Sequence, residues 1–227
     1  IRDFILDDKL SNPINMPIAD ISQLKQIGPF LDLAEMLGKI QMQLADSPIK
    51  SVSVECFGSI DDSKPIALSF LIGIFHDMTD SRINFVNAAV IAEERGISFA
   101  HSLNTELVSF SNLIVAHVTT ENGTIEVAGS VFGNQYPRIV DIMGYEVDVR
   151  PEGNMLFVQN KDIPGVIGKV GIMLGECNVN IAEYLLCRTE NSDFAYSVIK
   201  VDGHIGKKLL EKLSNIDAIL DVKQLYV

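Results

Sequence analysis

Asn160-Lys161-Asp162-Ile163-Pro164-Gly165-Val166-Ile167-Gly168 sets how the second half of this chain folds. A β-rich run, Met155 to Gln159, ends just before it. Beyond it Ile167, Val170, Leu174 and Cys177 fall at i, i+3, i+7 and i+10, one face of a helix. Pro164 and Gly165 start that helix, leaving the backbone N–H groups of Val166 and Ile167 without intrahelical partners and able to receive a carboxylate. Asp162 can hold an ammonium, and Asn180, at the start of the next strand beside Ile181, adds one donor and one acceptor. A free α-amino acid carries those two poles. The same residues also suit a plainer role in which Asp162 caps the helix and Asn180 turns the chain.

Downstream, Ile181 to Arg188 and Phe194 to Asp202 form a hairpin across Glu190 to Ser192, and helix Ile205 to Leu213 and strand Leu220 to Tyr226 complete the unit. The order βαββαβ predicts a ferredoxin-like split sheet with both helices on one face. Gly168, Gly171 and Gly175 share one face of the first helix, where each costs roughly 1 kcal/mol relative to alanine. Close backbone approach would offset that, either by the unit's own sheet or by a second copy.

Upstream, Leu33, Leu37, Ile40 and Leu44 mark a helix with Pro29 near its first turn. A strand Ile49 to Phe57 and helices Ile66 to Met78 and Ser81 to Arg95 follow, the last ending at Gly96. Strands then dominate: Leu113 to Thr119, Thr124 to Val131, Arg138 to Ile142 and Glu146 to Arg150. Charge separates the halves, because residues 1–152 carry 10 basic and 21 acidic side chains and residues 153–227 carry 8 and 9. We therefore place a hinge at Pro151-Glu152-Gly153. Ile1 to Lys9 reads as a helical tail and Ser11 to Pro17 as an extended linker.

Of 227 residues, 47% are hydrophobic and 21% charged, an ordinary globular balance. A net charge of -12 repels polyanions, so neither nucleic acid nor an anionic membrane is an expected partner. The longest apolar run, Ile66 to Phe75, is about half of the roughly 20 residues a bilayer requires. Ile1-Arg2-Asp3-Phe4 lacks a signal-peptide layout and reads as a cut inside a longer chain. Cys56, Cys177 and Cys187 show no ligand-type spacing with any histidine, which points to a reducing, cytoplasmic setting without a metal site.

No Gly-x-Gly occurs among the 16 glycines, so neither a dinucleotide fingerprint nor a Walker loop is present, and no cofactor is expected on this stretch. Arg138 and Arg150 are the only basic residues between Arg95 and Lys161. A hairpin at Gly144-Tyr145 would set them opposite each other, which is unfavourable unless an anion sits between them. The Gly129-Ser130-Val131-Phe132-Gly133 loop could add backbone N–H groups to such an anion. Pairing with Asp141 and Asp148 is the alternative.

Asp162-Ile163-Pro164-Gly165-Val166-Ile167-Gly168-Lys169-Val170-Gly171, followed by Asn180-Ile181-Ala182, resembles the amino-acid-sensing ACT domain, in particular the one closing the bacterial long-form D-3-phosphoglycerate dehydrogenases. Upstream, Asn15-Met16-Pro17, Gly28-Pro29-Phe30-Leu31-Asp32-Leu33-Ala34-Glu35, Val86-Asn87-Ala88-Ala89, Ile91 to Ile97, Gly129 to Gly133 and Pro137 to Val140 are similar to the allosteric substrate-binding domain of that family. The resemblance implies three segments: 1–17 as the end of a catalytic domain plus linker, 18–152 as a mixed α/β regulatory domain, and 153–227 as the ferredoxin-like ACT domain. It further implies L-serine as feedback effector at Asn160, Asp162, Gly165, Val166, Asn180 and Ile181, and an anion, such as a phosphorylated three-carbon acid, at Arg138, Arg150 and Lys200. A homodimer or homotetramer is implied, as is a parent enzyme that oxidises 3-phosphoglycerate with NAD. The family's catalytic arginine, glutamate and histidine have no counterpart here, so this stretch alone should be inactive. Asn160 stands where histidine or an aromatic is common, and Ala89 where proline is. The β-chain of iron-sulfur L-serine dehydratase joins similar domains, but its Gly-Pro-x-Ser-Ser-His-Thr signature is replaced by Gly28-Pro29-Phe30-Leu31-Asp32-Leu33. A stand-alone amino-acid sensor is a further alternative.

Overall fold

The computed structural model describes residues 21–78, 82–104, 109–188, 192–203 and 205–227. The expected tail and linker lie outside them. Two compact units divide the chain between Met143 and Gly144. That point lies several residues before the Pro151 hinge.

The first unit begins with helix α1 (Ile21–Leu44), strand β1 (Ile49–Gly58), helix α2 (Ser63–Phe75) and helix α3 (Ala88–Glu94). Strands β2 (Ser98–Asn104), β3 (Asn112–Thr120), β4 (Thr124–Phe132) and β5 (Tyr136–Ile142) complete it. They form a sheet in the order β2-β1-β3-β4-β5, with β1 and β2 parallel across the helical crossover and the other neighbours antiparallel. Alternation along β1 and β3 sends Val52, Val54, Cys56, Ile114, Ala116 and Val118 into the core. Gln41, fully buried on α1, donates from Nε2 to Ala116 O at 2.8 Å and Ile125 O at 2.9 Å, tying the helix to β3 and β4.

Pro29 lies well inside α1 rather than in its first turn. Gly28 before it has no Cβ to meet the pyrrolidine ring, which removes part of the usual penalty for helical backbone ahead of proline. α2 is apolar around nearly its whole circumference and is buried accordingly, with Asp62 accepting from Lys64 N at 3.0 Å as its N-cap. α1 and α2 cross so closely that a Cβ on Gly73 would lie 2.0 Å from Glu35 O, and one on Gly38 would lie 2.3 Å from Phe70 O. The expected helix Ser81 to Arg95 is shorter and starts only at Ala88. Asn84 Oδ1 accepts from Val86 N at 2.9 Å and Asn87 Oδ1 accepts from Asn84 N at 2.8 Å, so side chains take up the backbone groups a longer helix would need.

The second unit comprises β6 (Tyr145–Val149), β7 (Asn154–Lys161), α4 (Val166–Glu176), β8 (Ile181–Arg188), β9 (Phe194–Val201), α5 (Lys207–Ser214) and β10 (Ile219–Tyr226). Its four-stranded antiparallel sheet has the order β10-β7-β9-β8, the ferredoxin-like arrangement expected from βαββαβ. One face packs Leu156, Val158, Ile199 and Val201 against Val166, Val170 and Leu174 of α4 and Leu209 and Leu213 of α5. On the other face Phe157 stacks on Tyr196, ring centroids 5.0 Å apart, and Tyr145 meets Tyr196 edge-on at 4.4 Å.

Candidate functional site

The loop from β7 to α4 is built by two local events. Gly165 takes a left-handed conformation, φ 91°, as the N-cap, so the helix proper starts at Val166 and not at Pro164. Gly165 brings no capping side chain, and among the described residues no other side chain, that of Asp162 included, bonds the first-turn N–H groups of α4. Asp162 N donates to Asp193 O at 2.9 Å, which holds the loop against the turn leading into β9.

Asn160 lies on the helix-facing side of β7, only 3% exposed. Its Nδ2 donates to Lys161 O at 2.8 Å, while Oδ1 is buried with no hydrogen-bond partner among the described residues. Ser197, on the neighbouring strand and the same face, lies against the Tyr184 hydroxyl. Buried acceptors without partners are rare and mark places where something polar belongs.

Asp162 has a cationic partner, but within the chain. Arg188, ending β8, places Nε and Nη2 each 2.6 Å from Asp162 Oδ2. Nothing in the local sequence around the loop signals this pairing; the one clue is that Arg188 is the sole arginine between residues 153 and 227. Asn180 is exposed and its Nδ2 donates to Asp202 Oδ2 at 2.7 Å, so its side chain fixes the start of β8 rather than only turning the chain. Ile181 opens β8 and is half-buried against the core. Asn160, Asp162, Gly165 and Val166 thus flank one loop, and Asn180 and Ile181 stand at the start of β8.

The glycine face of α4 is open: a Cβ at Gly168, Gly171 or Gly175 would meet nothing within 4 Å. Approach of the unit's own sheet is therefore not what these glycines serve. They lie opposite the buried Val166, Val170 and Leu174, flanked by the exposed Ile167 and Ile172.

Of the residues of the expected anion site, Arg150 and Lys200 lie together in the second unit. Lys200 Nζ donates to Glu152 Oε1 at 3.0 Å, and Arg150 Nη1 lies 3.8 Å from the same oxygen. A carboxylate of the chain itself therefore stands where Arg150 and Lys200 converge. Arg138 belongs to the first unit, on β5 opposite Ser130 of β4. Gly129 to Phe132 are strand rather than loop, because their backbone groups enter the ladders with β3 and β5, and Ser130 Oγ donates to Asn112 O at 2.8 Å. That stretch has no N–H row to give an anion.

Residues 26–143 match the family described as the D-3-phosphoglycerate dehydrogenase intervening domain. The chain belongs to this family. Its sequence is 31% identical over 92% of its length to D-3-phosphoglycerate dehydrogenase of Bacillus subtilis, and 31% identical over 98% to that of Methanocaldococcus jannaschii. It covers 40% and 42% of those two proteins, so the chain spans about two fifths of the length of the curated relatives it matches. A solved ACT domain from a GTP pyrophosphokinase of Chlorobium tepidum is also similar, at 13% identity over 33% of this chain and 97% of that one, with a TM-score of 0.28. Among the described residues, no helix is long and apolar enough to cross a membrane.

Proposed function

We propose that this chain is a regulatory and assembly region of a D-3-phosphoglycerate dehydrogenase and that its second unit binds L-serine as a feedback effector. The parent reaction is the NAD-dependent oxidation of 3-phosphoglycerate, the first step towards serine; its catalytic and NAD-binding parts lie outside this sequence. The observation that carries the reading is the uncapped first turn of α4, which follows Asp162 in the same loop. The helix N–H groups suit the carboxylate of an amino acid and Asp162 its ammonium, with Asn160 at the end of β7 behind the loop. Arg150 and Lys200 are proposed to receive a phosphorylated three-carbon acid or a similar anion, which must displace the Glu152 carboxylate.

The effector site is open to water in a single copy, where each hydrogen bond adds little net energy. We propose closure by a second copy docking side by side on the second unit, giving a homodimer, or a homotetramer in the whole enzyme. The open Gly168, Gly171 and Gly175 face between Ile167 and Ile172 supports such close approach. Ligand binding and dimer geometry would then be coupled. Thermal-shift titration tests the site: Asp162→Ala should weaken L-serine by about 1.5–3 kcal/mol, the usual worth of a hydrogen bond to a charged group. Equal rises in melting temperature for the wild type and the variant would remove the loop from consideration.

A further inference from the structure

The contact between Arg188 and Asp162 bears on which molecules the effector loop accepts, provided that the loop is the amino-acid site proposed for it. Arg188 Nε and Nη2 both lie 2.6 Å from one oxygen, Asp162 Oδ2. The guanidinium therefore uses its side edge, and the carboxylate uses half of its acceptor capacity. No described residue bonds Asp162 Oδ1 or Arg188 Nη1, and the Arg188 side chain is 63% exposed. A negative oxygen and a two-donor cationic end edge, Nη1 with Nη2, thus belong to one ion pair. The end edge has the fork geometry that matches a carboxylate bidentately.

Such a pair discriminates by repulsion as well as by attraction. A simple amine that places its cation on Oδ1 comes to rest beside the guanidinium. A simple carboxylate on the Nη edge comes to rest beside Asp162. An α-amino acid brings both charges a few ångströms apart and satisfies both poles at once. We propose that Arg188 is a specificity-determining residue of the effector site, forming with Asp162 a receptor for zwitterionic α-amino acids that rejects amines and carboxylates lacking the opposite charge. The ligand carboxylate is shared between the Arg188 end edge and the first-turn N–H groups of α4, and the ammonium goes to Asp162 Oδ1.

Calorimetric titration of the 227-residue chain tests this with three probes: L-serine, ethanolamine, which lacks the carboxylate, and 3-hydroxypropanoate, which lacks the ammonium. The wild type should bind L-serine at least tenfold more tightly than either of the other two. Arg188→Met should lose tenfold or more in L-serine affinity while holding or gaining affinity for ethanolamine, and Arg188→Lys should recover only part of the loss. Because Arg188 is mostly exposed, melting temperatures without ligand should be unchanged across the series. If Arg188→Met binds L-serine as tightly as the wild type, or more tightly, the guanidinium is a bystander or a competitor and the proposal fails while the effector reading stands. If the variant does not fold, the wild-type probes decide alone: ethanolamine within twofold of L-serine overturns the proposal. No binding of millimolar L-serine to the wild type overturns the effector reading, and the role of Arg188 with it.

Discussion

Gly73→Ala separates two opposing effects of known size. Replacing a helical glycine by alanine favours the helix by about 1 kcal/mol. At Gly73, however, the added Cβ would lie 2.0 Å from Glu35 O, 2.9 Å from Glu35 C and 3.0 Å from Lys39 N, all backbone atoms of α1. An ordinary carbon–oxygen approach is about 3.3 Å, so α1 and α2 must separate by roughly 1.3 Å along that line. No rotamer change can absorb this, because backbone cannot turn aside. The separation loosens a crossing where Leu37, Ile40, Phe70 and Ile74 are all fully buried. Overpacking costs about 1–3 kcal/mol and sometimes more, and a rigid clash between two backbones belongs at the upper end. The net expectation is a destabilisation of about 2 kcal/mol, or a fall in melting temperature of roughly 4–8 °C. Urea unfolding followed by far-UV circular dichroism measures it. Gly38→Ala meets Phe70 O at 2.3 Å in the same crossing, so it should also destabilise, and the double variant should cost less than the two single costs added. A Gly73→Ala protein as stable as the wild type, or strictly additive costs, would refute the close crossing.

Further expectations concern titration, the anion site and assembly. Burial, with the Asp62 carboxylate second, pushes the Cys56 thiol up to about 12, and burial also raises Cys187, Tyr184 and Tyr196. An unfolded thiol titrates near 8.5, so the unfolded chain releases its proton first: the Cys56 contribution is full below that pH and falls by up to about 1.4 kcal/mol per pH unit from there towards pH 12, and the other raised groups act in the same direction. Urea midpoints measured between pH 8 and 11 should decline, less steeply in Cys56→Ala, and a flat profile contradicts the burial. A thiol reagent at pH 8 should modify the half-buried Cys177 well before the buried Cys56 and Cys187. Glu152→Gln removes the charge that Arg150 and Lys200 now share, so inorganic phosphate should bind several-fold more tightly by thermal shift; unchanged affinity would argue against an anion site there. Ile172→Glu, at an exposed position on the glycine face of α4, should shift the oligomer towards monomer in light scattering without lowering helicity, and an unchanged mass would move the interface elsewhere.

The loop after β7 was readable because its determinants are local. A proline, a glycine and an apolar period within ten residues define where strand ends and helix begins, and glycine's tolerance of positive φ makes Gly165 the natural N-cap. Local chemistry misled at Ser81 to Arg95, where helical periodicity competes with two asparagines that bond nearby backbone and delay the helix to Ala88. It misled again at Gly129 to Gly133, where glycines suggested a loop but Gly129 instead leaves room for Leu33 of α1 against β4; a Cβ there would lie 2.9 Å from Leu33 Cδ1.

Periodicity, turn chemistry and composition act over a few residues, and they alone establish most of the element order, the ferredoxin-like character of the second unit, the acidic first half and the residue types around the effector loop; they missed β2, Ser98–Asn104, most of whose residues are exposed and show no apolar alternation. Which side chains meet is settled in three dimensions. Arg188 reaches Asp162 because β8 is brought beside β9, and Asp193 at the start of that hairpin arm holds the loop of Asp162. Glu152 stands between Arg150 and Lys200, and Gly38 and Gly73 face each other's helices, for the same kind of reason. Alternation along a strand or helix tells which face a residue occupies, whereas its partner depends on register and crossing angle, which are fixed only when distant segments bury their apolar faces together.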